Sequence, residues 1–185
     1  MGFLRLFDKN HYYKNTAEFL VPFIKGGNLL SIGCGDGTIE HFLIKKLKCK
    51  ITGLEVTKYK ESKIPVILFD GKKIPFRDKE FDSTLFIYSL HHTEDKNDII
   101  KMFEEAKRVT KKEIIILDHS YYNLLDKMML YTWDYISNKI KNYEVKITFN
   151  FLKEEEWTRL FSKFNFSIAL KSHPFFSSVF YRLLL

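Results

Sequence analysis

The chain has 185 residues, 45% of them hydrophobic, and a formal charge of +7. That length suits one domain with a substantial core and leaves little room for two, and its basic residues alternate with Glu and Asp, as on ordinary solvated faces and unlike the stripe of a nucleic-acid groove. Its two cysteines, Cys34 and Cys49, belong to no Cys/His spacing of a zinc site, so no metal is expected and a reduced, cytoplasmic setting fits best.

Met1 to Phe7 lacks the apolar core and small-residue cleavage site of a signal peptide, and Leu6 stands where a myristoylation motif needs Ser or Thr. From there on, short β-type runs alternate with helical periods, the habit of an α/β sheet. Asn28 to Ile32 is the first predicted strand. It runs into the turn Ser31-Ile32-Gly33-Cys34-Gly35-Asp36-Gly37, after which Ile39, Phe42, Leu43 and Leu47 recur at helical spacing. Lys50 to Val56, Val66 to Phe69 and Phe81 to Tyr88 are the next strands, followed by a helix from about Lys96 with Ile99, Ile100, Phe103 and Ala106 on one stripe. Glu113 to Asp118 is the fifth strand.

Tyr121 to Ile140 reads as a helix rich in aromatic and Met residues, with Leu125, Met128, Met129, Thr132 and Ile136 facing inward as core or lid. Glu144 to Phe151 is expected to be extended, and Trp157, Leu160, Phe161 and Phe164 mark another amphipathic helix. Ser167 to Lys171 and Ser178 to Leu184 are the last strands, separated by the turn-like His173-Pro174. The apolar run from Phe175 to Leu185 is far short of the roughly 20 residues of a membrane span, so no transmembrane segment is expected. Nothing divides the chain, so residues 1–185 are expected to form a single domain, with 28–120 its cofactor-binding core and 121–150 a lid or substrate-side insertion.

Only Thr57 to Pro65 lie between the second and third strands, whereas a parallel crossover normally takes a dozen or more residues and a helix. Pro65 lacks a donor and disfavours helix before it. A short, non-helical crossover is therefore predicted, with the N-terminal segment or the Tyr121 to Ile140 helix covering the exposed sheet face.

A strand that ends in closely spaced glycines and opens a helix brings bare backbone and unpaired N–H groups up to a ligand. Glu55, at the end of the next strand, places a carboxylate where it can accept two ribose hydroxyls. Thr38 stands where a dinucleotide fingerprint needs its third glycine, and no Gly-Lys-Ser/Thr follows for a P-loop. Asp36 beside the turn would repel a pyrophosphate. These residues favour a cofactor with a ribose and no phosphate.

In this setting Leu29 to Gly37, Gly53-Leu54-Glu55, Phe69-Asp70-Gly71 with Ile74-Pro75-Phe76, and Phe81-Asp82 through Leu90-His91-His92-Thr93 stand in order before Ala106 to Val109 and the Ile-rich strand. The set resembles a class I methyltransferase that uses S-adenosylmethionine. It is similar in particular to a microbial branch in which the strand-two acid is followed by an "IPV..FDG..IPF" segment, here Ile64-Pro65-Val66 to Phe76. The resemblance covers about residues 28–120, and Asp118-His119, Trp133-Asp134, Asn138 and Glu156-Trp157 also look like this branch. It implies a Rossmann-like three-layer sandwich, with a mostly parallel seven-stranded sheet and an antiparallel last strand. It also implies that Gly33, Cys34, Gly35 and Gly37 line the methionine part of S-adenosyl-L-methionine, that Glu55 holds the ribose, that Asp70 and Gly71 meet the adenine, and that Tyr88 sits near the sulfonium or the carboxylate. The family usually has an acid where this chain has Ser31, which leaves a hydroxyl to serve the cofactor amine.

Methyl transfer from a sulfonium needs alignment and exclusion of water more than a protein nucleophile. If the acceptor must lose a proton, His92 and His119 are the candidate catalytic bases, because they follow strands four and five on the edge where α/β sheets bind ligands; His91 is a weaker candidate. Asp118 could orient His119 or cap the following helix. His11, Tyr12 and Tyr13, with the aromatic helix from Tyr121 to Tyr135, are candidates for the wall over the acceptor. A lid of that kind suits a small-molecule or lipid-like acceptor. A binding or regulatory module without catalysis is the alternative, and a nucleic-acid methyltransferase is disfavoured because the chain has no asparagine-proline-proline-aromatic tetrapeptide.

Overall fold

A computed structural model describes residues 9–141, 148, 150–175 and 177–185, the side chains of Lys9 and of 137–141 excepted. Its centre is a sheet in the order β3-β2-β1-β4-β5-β8-β7. Strands β1 (Gly27–Ile32), β2 (Cys49–Glu55), β3 (Val66–Leu68), β4 (Phe81–Ile87) and β5 (Thr110–Tyr121) run parallel to one another. Strand β8 (Ser178–Leu184) is antiparallel to both β5 and β7 (Ser167–Ser172). This is the predicted seven-strand path with its antiparallel last strand. A short addition, β6 (Leu152–Lys153), pairs with the far end of β5. The extended segment expected at Glu144 to Phe151 lies almost entirely outside the described residues.

Alternation along the strands sends side chains to two separate cores. On one face Leu29, Ile51, Leu85, Ile115 and Leu117 pack against Leu43 of α2 (Thr38–Lys46) and against Ala17 and Leu20 of α1 (Lys9–Leu20). On the other, Leu30, Leu54, Phe86, Ile114 and Ile116 meet α3 (Lys96–Val109) and α5 (Glu154–Lys163) through Phe103, Ala106, Trp157 and Phe161. The side chain of Asp95 starts α3 by accepting from Asn97 N and Asp98 N. Arg108, near the other end of α3, holds the loop before β4 through Ile74 O and Phe76 O. Among the described residues no helix is long and apolar enough to cross a membrane.

The crossover from β2 to β3 has no helix, as the Pro65 argument required. Ile64 alone plugs inward, and β3 stays partly bare on both faces, since the successive residues Ile67 and Leu68 are exposed, as is Val56. Cover of the sheet comes from the N-terminal segment, since α1 joins the core beside α2. The other candidate, α4 (Leu124–Lys141), lies against β5 instead.

Candidate active site

Strand order reverses between β1 and β4, so the crevice beyond their carboxyl ends is the switch point where such sheets bind ligands. The glycine turn lies there. Gly33, Gly35 and Gly37 take φ of 69°, 59° and 75°, the left-handed region. A Cβ on Gly33 would fall 2.5 Å from Ser89 Cβ, and one on Gly37 2.5 Å from Ile64 Cγ1. Gly33 N and Cys34 N donate to Leu54 O, which ties the turn to β2. Asp36, one residue before the Gly37 N-cap of α2, accepts from Thr38 N at 3.0 Å. The Cys34 thiol is packed in this turn, and burial pushes its pKa up, so it stays protonated and unreactive.

Glu55 closes the turn from the β2 side. Its carboxylate accepts from Gly35 N and from Val56 N, each at 2.8 Å, one oxygen per bond. Each oxygen keeps a second lone pair, which is the acceptor capacity a ribose diol requires. Asp70 stands exposed after β3. Its Oδ1 accepts from Lys72 N and Lys73 N, and these bonds, that from Lys73 first, hold its pKa below the usual range while Oδ2 stays available. Gly71 beside it has φ of 74°.

Sequence reasoning missed Glu40. Ser31 Oγ donates to Glu40 Oε1 at 2.7 Å, so the acid absent from the end of β1 returns from the first turn of α2, beneath the glycines. The second oxygen, Oε2, is buried and has no hydrogen-bond partner among the described residues. Burial lifts the Glu40 pKa to about 7. The available signal was a Glu interrupting the apolar face formed by Ile39 and Leu43, one residue where an acid is out of pattern.

Across the crevice, Tyr88 ends β4 with φ of 52°, a strained conformation for a tyrosine and of the kind that clusters at functional sites. Its ring meets Tyr12 at 5.9 Å and His119 at 4.9 Å between centroids, so the N-terminal helix reaches the crevice beyond β4. Tyr13 packs edge-on against Tyr12, while His11 is exposed on Asn15. His119 Nδ1 faces Ser177 O at 3.3 Å; a carbonyl only accepts, so Nδ1 carries the proton and Nε2 the lone pair.

His91 stands at the centre of this half of the site. It is buried, its Nδ1 lies 2.5 Å from Asp118 Oδ1, and Nε2 lies 3.8 Å from Asp134 Oδ1. Asp118 therefore neither orients the His119 ring nor caps α4. It grips His91 and accepts from the backbone N–H groups of Leu90 and His119, while Asn123 and Asp126 cap α4. Burial opposes a charge on His91, but Asp118 and then Asp134 outweigh it and carry its pKa up to about 9. Burial, with the neighbouring His91, lowers His92 to about 3 and His119 to about 4. Both are neutral imidazoles at neutral pH.

The face of α4 is a correction. Leu125, Met128, Met129, Thr132 and Ile136 point outward, with Leu125 at 72% exposure, and the helix buries Leu130 and Asp134 instead. Apolar residues ring this helix on most sides, so periodicity could not choose between stripes, and the stripe that won carries an acid drawn in by His91.

Known proteins resemble this chain in sequence and in fold. Residues 30–117 match the methyltransferase domain family. Protein MJ1123 of Methanocaldococcus jannaschii is 32% identical over 177 residues, which cover 94% of this chain and 81% of that protein. The chain shares a family with MJ1123, and its residues 30–117 are similar to a methyltransferase domain. A tRNA (carboxymethyluridine(34)-5-O)-methyltransferase of Arabidopsis thaliana is 27% identical over 89% of this chain, but the chain spans only 38% of that relative. In fold it is similar to the 1,6-didemethyltoxoflavin-N1-methyltransferase of Burkholderia thailandensis, solved with its substrate and S-adenosylhomocysteine. The TM-score is 0.70 at 10% identity, covering 97% of this chain and 80% of that one.

Proposed function

We propose that this chain transfers a methyl group from S-adenosylmethionine to a small-molecule or lipid-like acceptor. The observation that carries the reading is the cradle at the switch point, three left-handed glycines closed by a Glu55 carboxylate that is anchored and still able to accept. When bound, S-adenosylmethionine supplies a methyl group on a sulfonium, which an acceptor lone pair displaces in line while the thioether leaves with the bonding electrons. Gly33, Cys34, Gly35 and Gly37 bring backbone up to the methionine portion, Glu55 accepts from the ribose hydroxyls, and Asp70 with Gly71 receives the adenine. The buried carboxyl of Glu40 stands in for the strand-end acid and serves the cofactor's ammonium through its unpartnered oxygen.

On the acceptor side Tyr88 and Tyr12 exclude water. The expected pair of bases narrows to His119, whose Nε2 lone pair is set by the Nδ1–H bond to Ser177 O and which takes the acceptor's proton as the new bond forms. The aromatic enclosure around Tyr88 favours a small or lipid-like acceptor over a polymer. The tRNA relative motivates a second reading, in which the acceptor is a tRNA base.

Calorimetry with S-adenosylhomocysteine tests the cofactor. Glu55→Ala is expected to weaken binding by about 1–3 kcal/mol, the worth of charge-assisted hydrogen bonds; parent protein that binds nothing at millimolar ligand overturns the reading. Turnover with tritiated S-adenosylmethionine then separates acceptors: label entering bulk tRNA selects the second reading, and label in a small-molecule or lipid extract selects the first. His119→Phe is expected to lower kcat by about 10²-fold or more with cofactor affinity unchanged.

A further inference from the structure

We propose that His91, His92 and Asp134 form a binding site for one divalent transition-metal ion, Zn²⁺ being the ion that this donor set suits best. The histidines are adjacent in the short turn after β4, and Asp134 comes from the buried side of α4. One ligand atom from each of the three residues lies within 4.8 Å of the other two. His91 Nε2 and Asp134 Oδ1 are 3.8 Å apart, too far for a direct hydrogen bond and a few tenths of an ångström wider than the about 3.4 Å between two ligands at about 2.1 Å from a tetrahedral ion.

Two further features fit a metal ligand set. Metal-bound histidines characteristically donate their second ring N–H to a carboxylate, which fixes the tautomer and aims the other nitrogen at the ion. Asp118 does this for His91, at 2.5 Å, and is itself fixed by the N–H groups of Leu90 and His119, while the Nε2 proton that His91 holds when charged is released to solvent as the ion binds. His92 contributes a buried Nδ1 with no hydrogen-bond partner among the described residues, a polar atom set aside from the network around it. A packed pocket leaves such an atom unsatisfied only at a free-energy cost, and ligation would remove that cost.

Two imidazoles and one carboxylate select a borderline ion such as Zn²⁺, Co²⁺ or Fe²⁺ over Mg²⁺ or Ca²⁺, which take oxygen ligands. Three protein ligands leave a coordination position open, the arrangement of reactive more than structural sites. If the methyl-transfer reading holds, an acceptor oxygen could occupy that position, with His92 committed to the ion and the base role left to His119. The site itself does not depend on that reading. Sequence spacing could not reveal it, because the third ligand arrives from a helix well along the chain.

The test is titration of the metal-free full chain with Co²⁺, read as visible d–d absorption, and with Zn²⁺ in competition. The expected result is one ion per chain with tetrahedral-type cobalt bands. His92→Ala and Asp134→Asn should each weaken binding at least about 100-fold, and Asp118→Asn about 10- to 100-fold, the usual effect of losing an outer-shell partner. His173→Ala, an exposed histidine on Glu154, should change nothing. Absence of cobalt bands, or bands that survive both His92→Ala and Asp134→Asn, overturns the site. S-adenosylhomocysteine binding measured on the same samples shows whether each variant is folded. Cobalt bands in a parent protein that binds no S-adenosylhomocysteine would sink the methyl-transfer reading and leave the metal site standing.

Discussion

At the ends of β1 and β2 the crevice is made mostly of backbone, three left-handed glycines and a carboxylate that grips two amide N–H groups. At the ends of β4 and β5 it is made of side chains drawn from four places: Tyr12 on α1, Tyr88 and His91 after β4, Asp118 and His119 on β5, and Asp134 on α4. The first half is nearly local in sequence and has no room for a Cβ at Gly33 or Gly37. The second is assembled by tertiary packing, so each residue depends on others far along the chain. A cofactor that stays the same needs a rigid cradle, whereas an acceptor that differs between relatives is met by side chains that can be exchanged.

The largest effect should come from breaking the backbone half. Gly33→Ala forces a left-handed alanine, about 1–2 kcal/mol, and drives its Cβ to 2.5 Å from Ser89 Cβ, an overpacking of about 1–3 kcal/mol more. Urea denaturation should show a loss of roughly 2–5 kcal/mol, together with loss of S-adenosylhomocysteine binding. A variant of parental stability would mean that the turn is not held in this conformation.

Glu40 sharpens the comparison, because it is the one buried side chain in the backbone half with a strongly displaced charge. Its folded pKa of about 7 lies above the unfolded value of 4.5. The folded protein therefore holds a proton that the unfolded chain has released, so stability is complete below about pH 4.5 and falls as pH rises to about 7. The groups facing it are Ser31, Asp36 and Glu55, and both acids push in the same direction. At about 1.36 kcal/mol per unit the fall is on the order of 3 kcal/mol. Glu40→Gln keeps a partner for Ser31 and should flatten this slope, so that the variant is the more stable protein above pH 7 while binding S-adenosylhomocysteine more weakly. Parallel stability–pH curves for parent and variant would show that Glu40 is not buried as an acid.

The same contrast explains what was legible beforehand. The alternation of strands and helices, the helix-free crossover at Pro65 and the glycine turn follow from adjacent residues, and the structure has all of them. Glu40, Asp118 and Asp134 were misread or passed over for a shared reason: each is an acid on a buried surface, where hydrophobic patterning expects none. Partners such as Ser31 for Glu40 and His91 for the two aspartates offset the cost of burial, and these partners come from other elements. Helix α1 adds a further case, since its inward stripe of Thr16, Ala17 and Leu20 is too sparse to announce a helix.

The smallest effect is expected on the outer face of α4. Leu124, Leu125, Met128, Met129 and Trp133 are all more than half exposed, so although the stripe has helical spacing it holds nothing in the core. Leu125→Ser should change stability by no more than about 0.5 kcal/mol, the usual range for a surface position. A loss of several kcal/mol, the scale of emptying a core leucine site, would mean that the helix turns its other stripe inward in solution. That outcome would also remove Asp134 from His91 and dismantle the side-chain half of the crevice. Thermal melts of Leu125→Ser alone therefore test which face of α4 the acceptor side is built on, before any acceptor is known.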